Sequence, residues 1–372
     1  MDKNLISEDG TVLKWLKKDY NLYLNKTTLI YGRTQSGKST IIDEIMYLCK
    51  DYIPAVFIIC QSSVTVSSSP YHNKIPNNCI KNGVSKEWLE SFIERQKGRA
   101  ALYKTANEIK VLKGLFDKIK QALAISNEIR EEEEIVSKSQ DYINKINMNN
   151  KLDFVKKREH IANVQELKNQ YLKDLYRKTI RENKNFLERK PGLSKDEECC
   201  INYLDFNPNI LLVFDDCASA FKKWVKESKS VSEMFYNGRH YFITQIISSQ
   251  DDTEINAELR KNALVSIFTT SQAATANFNR SSNAYSKAER KEADTCIKIV
   301  FDSGANTVAR NFKKLVYIQN DPNPFFYTIA DLYDTFRLGC DSLWELDDKI
   351  KAKLGDSGNG TNNAFFNNYH KI

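Results

Sequence analysis

Apolar residues along this chain are grouped in two ways. Continuous runs occur at Thr27-Thr28-Leu29-Ile30-Tyr31, at Ala55-Val56-Phe57-Ile58-Ile59-Cys60, over 209–214, over 241–249 and over 263–268. Short, β-branched runs of this kind predict strands buried on both faces of a parallel sheet. Lys313–Ile318 and Phe325–Ile329, split by Asn320-Asp321-Pro322-Asn323-Pro324, predict a hairpin at the sheet edge. From about 86 to 190 the pattern changes to a charged, proline-free stretch with apolar residues three and four apart. Leu112, Leu115, Ile119 and Leu123 form one predicted stripe; Leu152, Val155, Val164, Leu167, Tyr171 and Leu175 form another. A weak break at Asn147-Met148-Asn149-Asn150 predicts the turn of a long helical hairpin, and Pro191-Gly192 ends it. Glu131 to Glu134 and Lys156-Lys157-Arg158 are read as solvated faces.

Residues 1–26 mix apolar and charged positions and predict a short helix with a lead-in. Residues 271–300 also read as helical. The chain thus divides into an N-terminal half-core (1–85), a charged helical insertion (86–200), a C-terminal half-core (201–350) and a flexible tail (351–372). Phe365, Phe366 and Tyr369 are potential docking residues within that tail.

The chemistry begins where the first run ends. Gly32-Arg33-Thr34-Gln35-Ser36-Gly37-Lys38-Ser39 fits G-x-x-x-x-G-K-[ST], with Thr40 following, and an apolar helical pattern runs on to Cys49. Strand, glycine loop and helix is the context this motif needs. Gly32 and Gly37 let the backbone N–H groups of residues 32–40 approach an anion, and the helix start adds more of them. Lys38 is placed to reach the β- and γ-phosphates and the Ser39 hydroxyl to bind Mg²⁺, which makes a nucleoside triphosphate with Mg²⁺ the expected ligand pair, ATP being the one the resemblance below implies. The run over 209–214 ends in Asp215-Asp216: Asp215 to support the metal opposite Ser39, Asp216 to polarise the attacking water. Gln250 closes the run after 241, at the end of the strand where ligands of open parallel sheets sit, so it is expected near the γ-phosphate. Arg239 precedes that strand and belongs at the opposite edge, where it could serve a neighbouring subunit's nucleotide; Arg260 is the alternative candidate.

Composition changes the picture little. At 372 residues and a net charge of +7, the chain has material for a large core and suits an acidic polymer without identifying one. Eight scattered cysteines without C-x-x-C spacing predict buried thiols in a reducing compartment. No signal-peptide core or membrane-length run is present in the sequence, so a soluble, intracellular protein is expected.

In order, these motifs resemble the DNA-packaging ATPases of large nucleocytoplasmic DNA viruses and their relatives, a branch of the FtsK–HerA superfamily. The matching residues are 32–40, 211–216, Asn237-Gly238-Arg239-His240, the strand ending at Gln250, and Leu259-Arg260-Lys261-Asn262. The likeness spans roughly 25–80 and 205–330. It implies an additional-strand, RecA-like P-loop NTPase, an α/β fold with a mostly parallel sheet and helices on both faces. It also implies a homo-oligomeric ring, hexameric or pentameric, that drives double-stranded DNA into a capsid. Capsid or membrane-associated virion proteins would then be partners, and the host cytoplasm or the virion the location. Two departures stand out: Asp216 occupies a position usually held by Glu, and the helical insertion is longer than a minimal packaging ATPase needs. A HerA-like helicase of a mobile element shares every motif, and a nucleotide-dependent scaffold is the reading from another class. The Asp215-Asp216 pair with Gln250 speaks against a scaffold. No N-K-x-D sequence supports guanine specificity.

Overall fold

A computed structural model describes residues 4–6, 10–60, 69–283, 285–301 and 313–354. The chain forms two compact units, 1–97 with 208–372, and 98–207.

In chain order the first unit opens with β1 (Leu5–Ile6) and β2 (Val12–Trp15), then a 3₁₀ turn at Tyr20–Leu22. The helix expected in 1–26 is therefore replaced by short strands. Leu13 and Trp15 alternate with Val12 and Lys14, a two-residue period that suits an edge strand. There follow β3 (Thr27–Tyr31), α1 (Lys38–Cys49), β4 (Ala55–Cys60), β5 (Ile80–Lys81) and α2 (Lys86–Ala106). The helical stretch comprises α3 (Ile109–Ala122), α4 (Ser126–Met148), α5 (Phe154–Glu182), α6 (Lys184–Glu188) and α7 (Lys195–Tyr203). The chain then returns with β6 (Ile210–Asp215), α8 (Ala218–Glu227), α9 (Lys229–Asn237), β7 (Ile243–Ser249), α10 (Ala257–Asn262) and β8 (Val265–Phe268). It closes with α11 (Ser271–Asn279), α12 (Lys287–Phe301), β9 (Lys313–Ile318), β10 (Phe325–Ile329) and α13 (Asp341–Leu354). The tail expected to carry Phe365, Phe366 and Tyr369 lies outside the described residues.

Among the described residues one ten-stranded sheet runs in the order β1-β2-β10-β9-β8-β3-β7-β6-β4-β5. From β8 to β5 all neighbours are parallel. β3, β4, β6 and β7 are buried at every position, so both faces of the central sheet are covered. β7 stands between the phosphate-loop strand β3 and the acidic strand β6, pairing with both. That inserted strand is the mark of the additional-strand P-loop fold, and the architecture of this unit is the α/β P-loop NTPase core.

The hairpin β9–β10 is real, with Phe326 opposite Val316, but it does not form the sheet edge. β9 pairs with β8 and β10 pairs with β2, so the amino-terminal strands take the edge instead. The parallel partnership of β10 with a strand three hundred residues earlier, Phe326 beside Lys14, leaves no local mark in the sequence.

The second unit has its own core, built from Leu112, Leu115, Phe116 and Ile119 of α3, Leu172, Leu175, Tyr176 and Ile180 of α5, and Cys200 and Ile201 of α7. The turn at 149–153 joins α4 to α5 as expected. The second predicted stripe is displaced, however: Val155, Leu167 and Tyr171 are exposed and only Leu175 is buried. The face that α5 buries runs through Leu172, Leu175, Tyr176, Thr179 and Ile180, a stripe set one residue on from Tyr171. Glu132 also departs from the solvated reading. It is buried, accepts from Tyr176 Oη at 2.5 Å and pairs with Lys113 Nζ at 3.0 Å.

All eight cysteines carry free thiols, six of them buried. Among the described residues no helix is long and apolar enough to cross a membrane.

Candidate functional site

At the carboxyl edge of the parallel strands, the loop joining β3 to α1 rims a cavity of about 1040 Å³. Residues 33–40, Asp215, Asp216, Gln250 and Lys314 line it. The phosphate loop, the acidic pair and the glutamine are thus gathered in one place, as their spacing around strand ends predicts.

The loop's shape follows from its residues. Gly37 caps α1 in the left-handed region, with φ +87°, and offers no side chain to the first helical turn. α1 carries no acidic residue in that turn either, so its unpaired N–H groups and positive dipole end face the cavity unopposed. Gln35 also adopts a left-handed conformation, with φ +63°. Gly32 is needed for a different reason: a Cβ there would meet Thr269 Oγ1 at 1.6 Å and Ser36 Oγ at 2.6 Å. Thr269, just beyond β8, holds the loop by a 2.5 Å contact with Ser36 Oγ and by donating to the Tyr31 carbonyl.

Lys38 is 6% exposed. Its Nζ donates to the Gly32 carbonyl at 2.7 Å and lies 3.2 Å from Asp216 Oδ1. Asp216 has φ +52°, a conformation that aspartate tolerates better than most residues, and this turn carries its carboxylate into the cavity. Asp216 Oδ1 is buried and meets no donor in hydrogen-bond geometry among the described residues; the Lys38 ammonium is its ion-pair partner.

Asp215, at the end of β6, is held differently. Ser248 Oγ donates to its Oδ1 at 2.5 Å and Tyr71 Oη to its Oδ2 at 2.9 Å, while the Asp216 N–H donates to the same serine. Burial, reinforced by Asp215, pushes the Tyr71 phenol well above its ordinary range and keeps it a donor. Asp215 is therefore a fixed acceptor, oriented by two hydroxyls, and Asp216 the more accessible acid.

This donor set fits a nucleoside triphosphate with Mg²⁺: a glycine-bounded loop, a helix start without an acid, the Lys38 ammonium and two carboxylates. Ser39 and Asp215 would hold the metal, a hard cation suited to oxygen ligands.

The two arginines behave unlike each other. Arg239 lies in the 3₁₀ turn Gly238–Tyr241 that precedes β7, at the edge opposite Gln250, and is exposed. It borders a separate groove with Lys26, Tyr236, Lys261 and Asn262. Arg260 is engaged within the chain: its Nη1 donates to the carbonyls of Asp252 and Ile255 and its Nε to Asn283 Oδ1 at 2.8 Å. Asp252 is in turn clamped by Arg280 at 2.6 and 2.7 Å, so this cluster fixes the chain just after Gln250.

Tyr71, Ser248, Thr269 and Lys314 carry no motif. The polar pair Thr269-Thr270 directly after an apolar run is the one signal among them visible in the sequence.

No family model matches the chain. The uncharacterized protein B354L of African swine fever virus is 29% identical over 366 residues, 94% of this chain and 94% of that protein. Among solved structures, the genome packaging NTPase B204 of Sulfolobus turreted icosahedral virus 2 in complex with AMPPCP is similar at 13% identity. The match covers 83% of this chain and 98% of that one, with a TM-score of 0.36. The pCW3 conjugation coupling protein TcpA with ATPγS matches at 12% identity over 94% of this chain and 69% of that one, also with a TM-score of 0.36.

Proposed function

We propose that the protein is an ATPase that hydrolyses ATP with Mg²⁺ and uses the energy to translocate double-stranded viral DNA into a capsid. The observation that carries the hydrolytic part is the convergence of Lys38 Nζ and Asp216 Oδ1, 3.2 Å apart, in a cavity shared with Asp215 and Gln250. Lys38 binds the β- and γ-phosphates, and the N–H groups of residues 32–40 cradle them. Bound Mg²⁺ supplies charge neutralisation on the phosphate oxygens. Ser39 and Asp215 hold it, and Ser248 and Tyr71 keep Asp215 in orientation. Asp216 accepts the proton of the attacking water, and Gln250 contacts the γ-phosphate from the end of β7.

The translocating part rests on the motif set shared with FtsK–HerA motors and on the net charge of +7. It requires a homo-oligomeric ring of five or six subunits, in which Arg239 reaches the neighbour's nucleotide. Arg239 is preferred to Arg260 because it is exposed while Arg260 is engaged by its own chain. Capsid or membrane-associated virion proteins are the partners this role demands, in the infected cytoplasm or the virion.

The test is ATP turnover with and without duplex DNA. Turnover is expected to rise on adding DNA and to vanish in Lys38→Ala. Normal hydrolysis by Lys38→Ala would overturn the site, whereas hydrolysis indifferent to DNA would overturn the motor and leave a nucleotide-dependent scaffold.

A further inference from the structure

Lys314 is the third cation of the phosphate cavity, beside Arg33 and Lys38, and nothing in the P-loop motif accounts for it. The topology explains how it arrives there. β9 runs antiparallel to β8, with Leu315 opposite Phe268, so the start of β9 lies at the carboxyl edge of the parallel strands. Lys314 is 2% exposed, an unusual burial for a lysine. Its Nζ donates to the Ser36 carbonyl at 2.9 Å, and would lie 3.2 Å from a Cβ at Gly37. A side chain at 37 would press on this ammonium, and the φ of +87° already favours glycine there.

Building on the nucleotide site proposed above, we propose that Lys314 is a second phosphate-site ammonium: it braces the loop at Ser36 and Gly37 and lends its charge to the bound triphosphate, and in alkaline solution it gains a proton from solvent as the nucleotide arrives. Burial pushes the Lys314 ammonium down to about 8, so near neutral pH the charge is held against a desolvation cost. Among the described residues, the charged groups lining the cavity with it are Arg33, Lys38, Asp215 and Asp216. Across β10 it faces uncharged Thr328, across β8 the neighbouring pair is Leu315 with Phe268, and Lys313 precedes it on its own strand. A triphosphate with its Mg²⁺ still adds net negative charge beside the two carboxylates, and its arrival favours the ammonium form. A lysine that begins at about 8 and returns to its ordinary value takes up about 0.75 of a proton on binding at pH 8.5 and about 0.9 at pH 9.

The experiment is isothermal titration of the full chain with AMPPNP and Mg²⁺. Titrations at pH 8.5 use two buffers of different ionisation heat, and titrations in one buffer run from pH 7 to 9. Wild type is expected to take up more than half a proton and to lose roughly tenfold in affinity from pH 7 to 9. Lys314→Met is expected to bind about three hundredfold more weakly at pH 7, with little proton uptake and a flat pH profile. A lysine that merely filled space would change neither uptake nor profile. Wild type without proton uptake overturns the proposal even if Lys314→Met does not fold, and so does equal uptake by the two proteins. Wild type that binds no AMPPNP at any pH overturns the nucleotide site itself, and this inference with it.

Discussion

At Gly32 the phosphate loop has no room for one methyl group. The obstacle is Thr269 Oγ1, 1.6 Å from where the Cβ would stand, with Ser36 Oγ next at 2.6 Å. Gly32→Ala is therefore expected to destabilise the protein by about 1–3 kcal/mol and to abolish nucleotide binding, because the loop must move off Thr269. Thr269→Ala alone should be mild, and the double variant should regain part of both losses, read by thermal unfolding and nucleotide titration. A double variant no better than Gly32→Ala would show that the clash is not the cause. The two halves of this pair also show what the sequence reveals at this scale. Gly32, Gly37, Lys38 and Ser39 are legible because a loop closing on phosphate fixes their mutual spacing. Thr269 braces the loop and Tyr71 orients Asp215, but their place depends on strand register and on a long connection, neither of which leaves a local pattern.

At the scale of elements, β9 combines an apolar strand with a buried cation. The strand was readable, since Lys313–Ile318 and Phe325–Ile329 flank an obvious turn; its neighbours were not. Knowing only the hairpin, one places Lys314 at a solvated edge. Pairing β9 to β8 instead puts it inside, against the phosphate loop. That placement works against stability. The folded pKa of Lys314, about 8, lies below the ordinary 10.5, so the charged form is the disfavoured one in the folded state. The penalty is full below pH 8 and fades as pH rises toward 10.5. It amounts to about 3 kcal/mol, offset by about 1 kcal/mol from the hydrogen bond to Ser36. Lys314→Met should thus be more stable than wild type by about 2 kcal/mol at pH 7, with the advantage shrinking by pH 10. Denaturant unfolding at both pH values measures this, and a variant less stable at pH 7 would contradict it. A residue that weakens the fold while strengthening the site belongs to function.

At the scale of the whole molecule, the core of residues 98–207 is closed on itself, since every side chain of the Leu112–Leu204 cluster belongs to that unit. Leu175→Ala, at 4% exposure, should cost about 2–5 kcal/mol within the helical unit alone. In calorimetry of the full chain, its transition should fall while the transition raised by nucleotide stays in place; movement of both together would mean the two cores unfold as one. The assembly makes the further demand. Lys38, Asp215, Asp216 and Gln250 occupy one edge of the sheet, and Arg239 stands at the other, before β7 begins. With Arg239 at the opposite edge from Gln250, the catalytic role proposed for it would call on a neighbouring subunit. Arg239→Ala subunits retain an intact cavity and Asp216→Ala subunits retain the arginine, and neither alone should turn over ATP. Mixed in equal amounts and allowed to assemble at random, about a quarter of interfaces unite a whole cavity with a whole arginine, and turnover near that fraction should return. Arg260→Ala should not complement in this way, because its loss loosens the chain at Asp252 and Ile255 inside its own subunit. Mixtures as inactive as their components would remove Arg239 from the catalytic interface, and with it the reason to expect that ATP is hydrolysed between subunits.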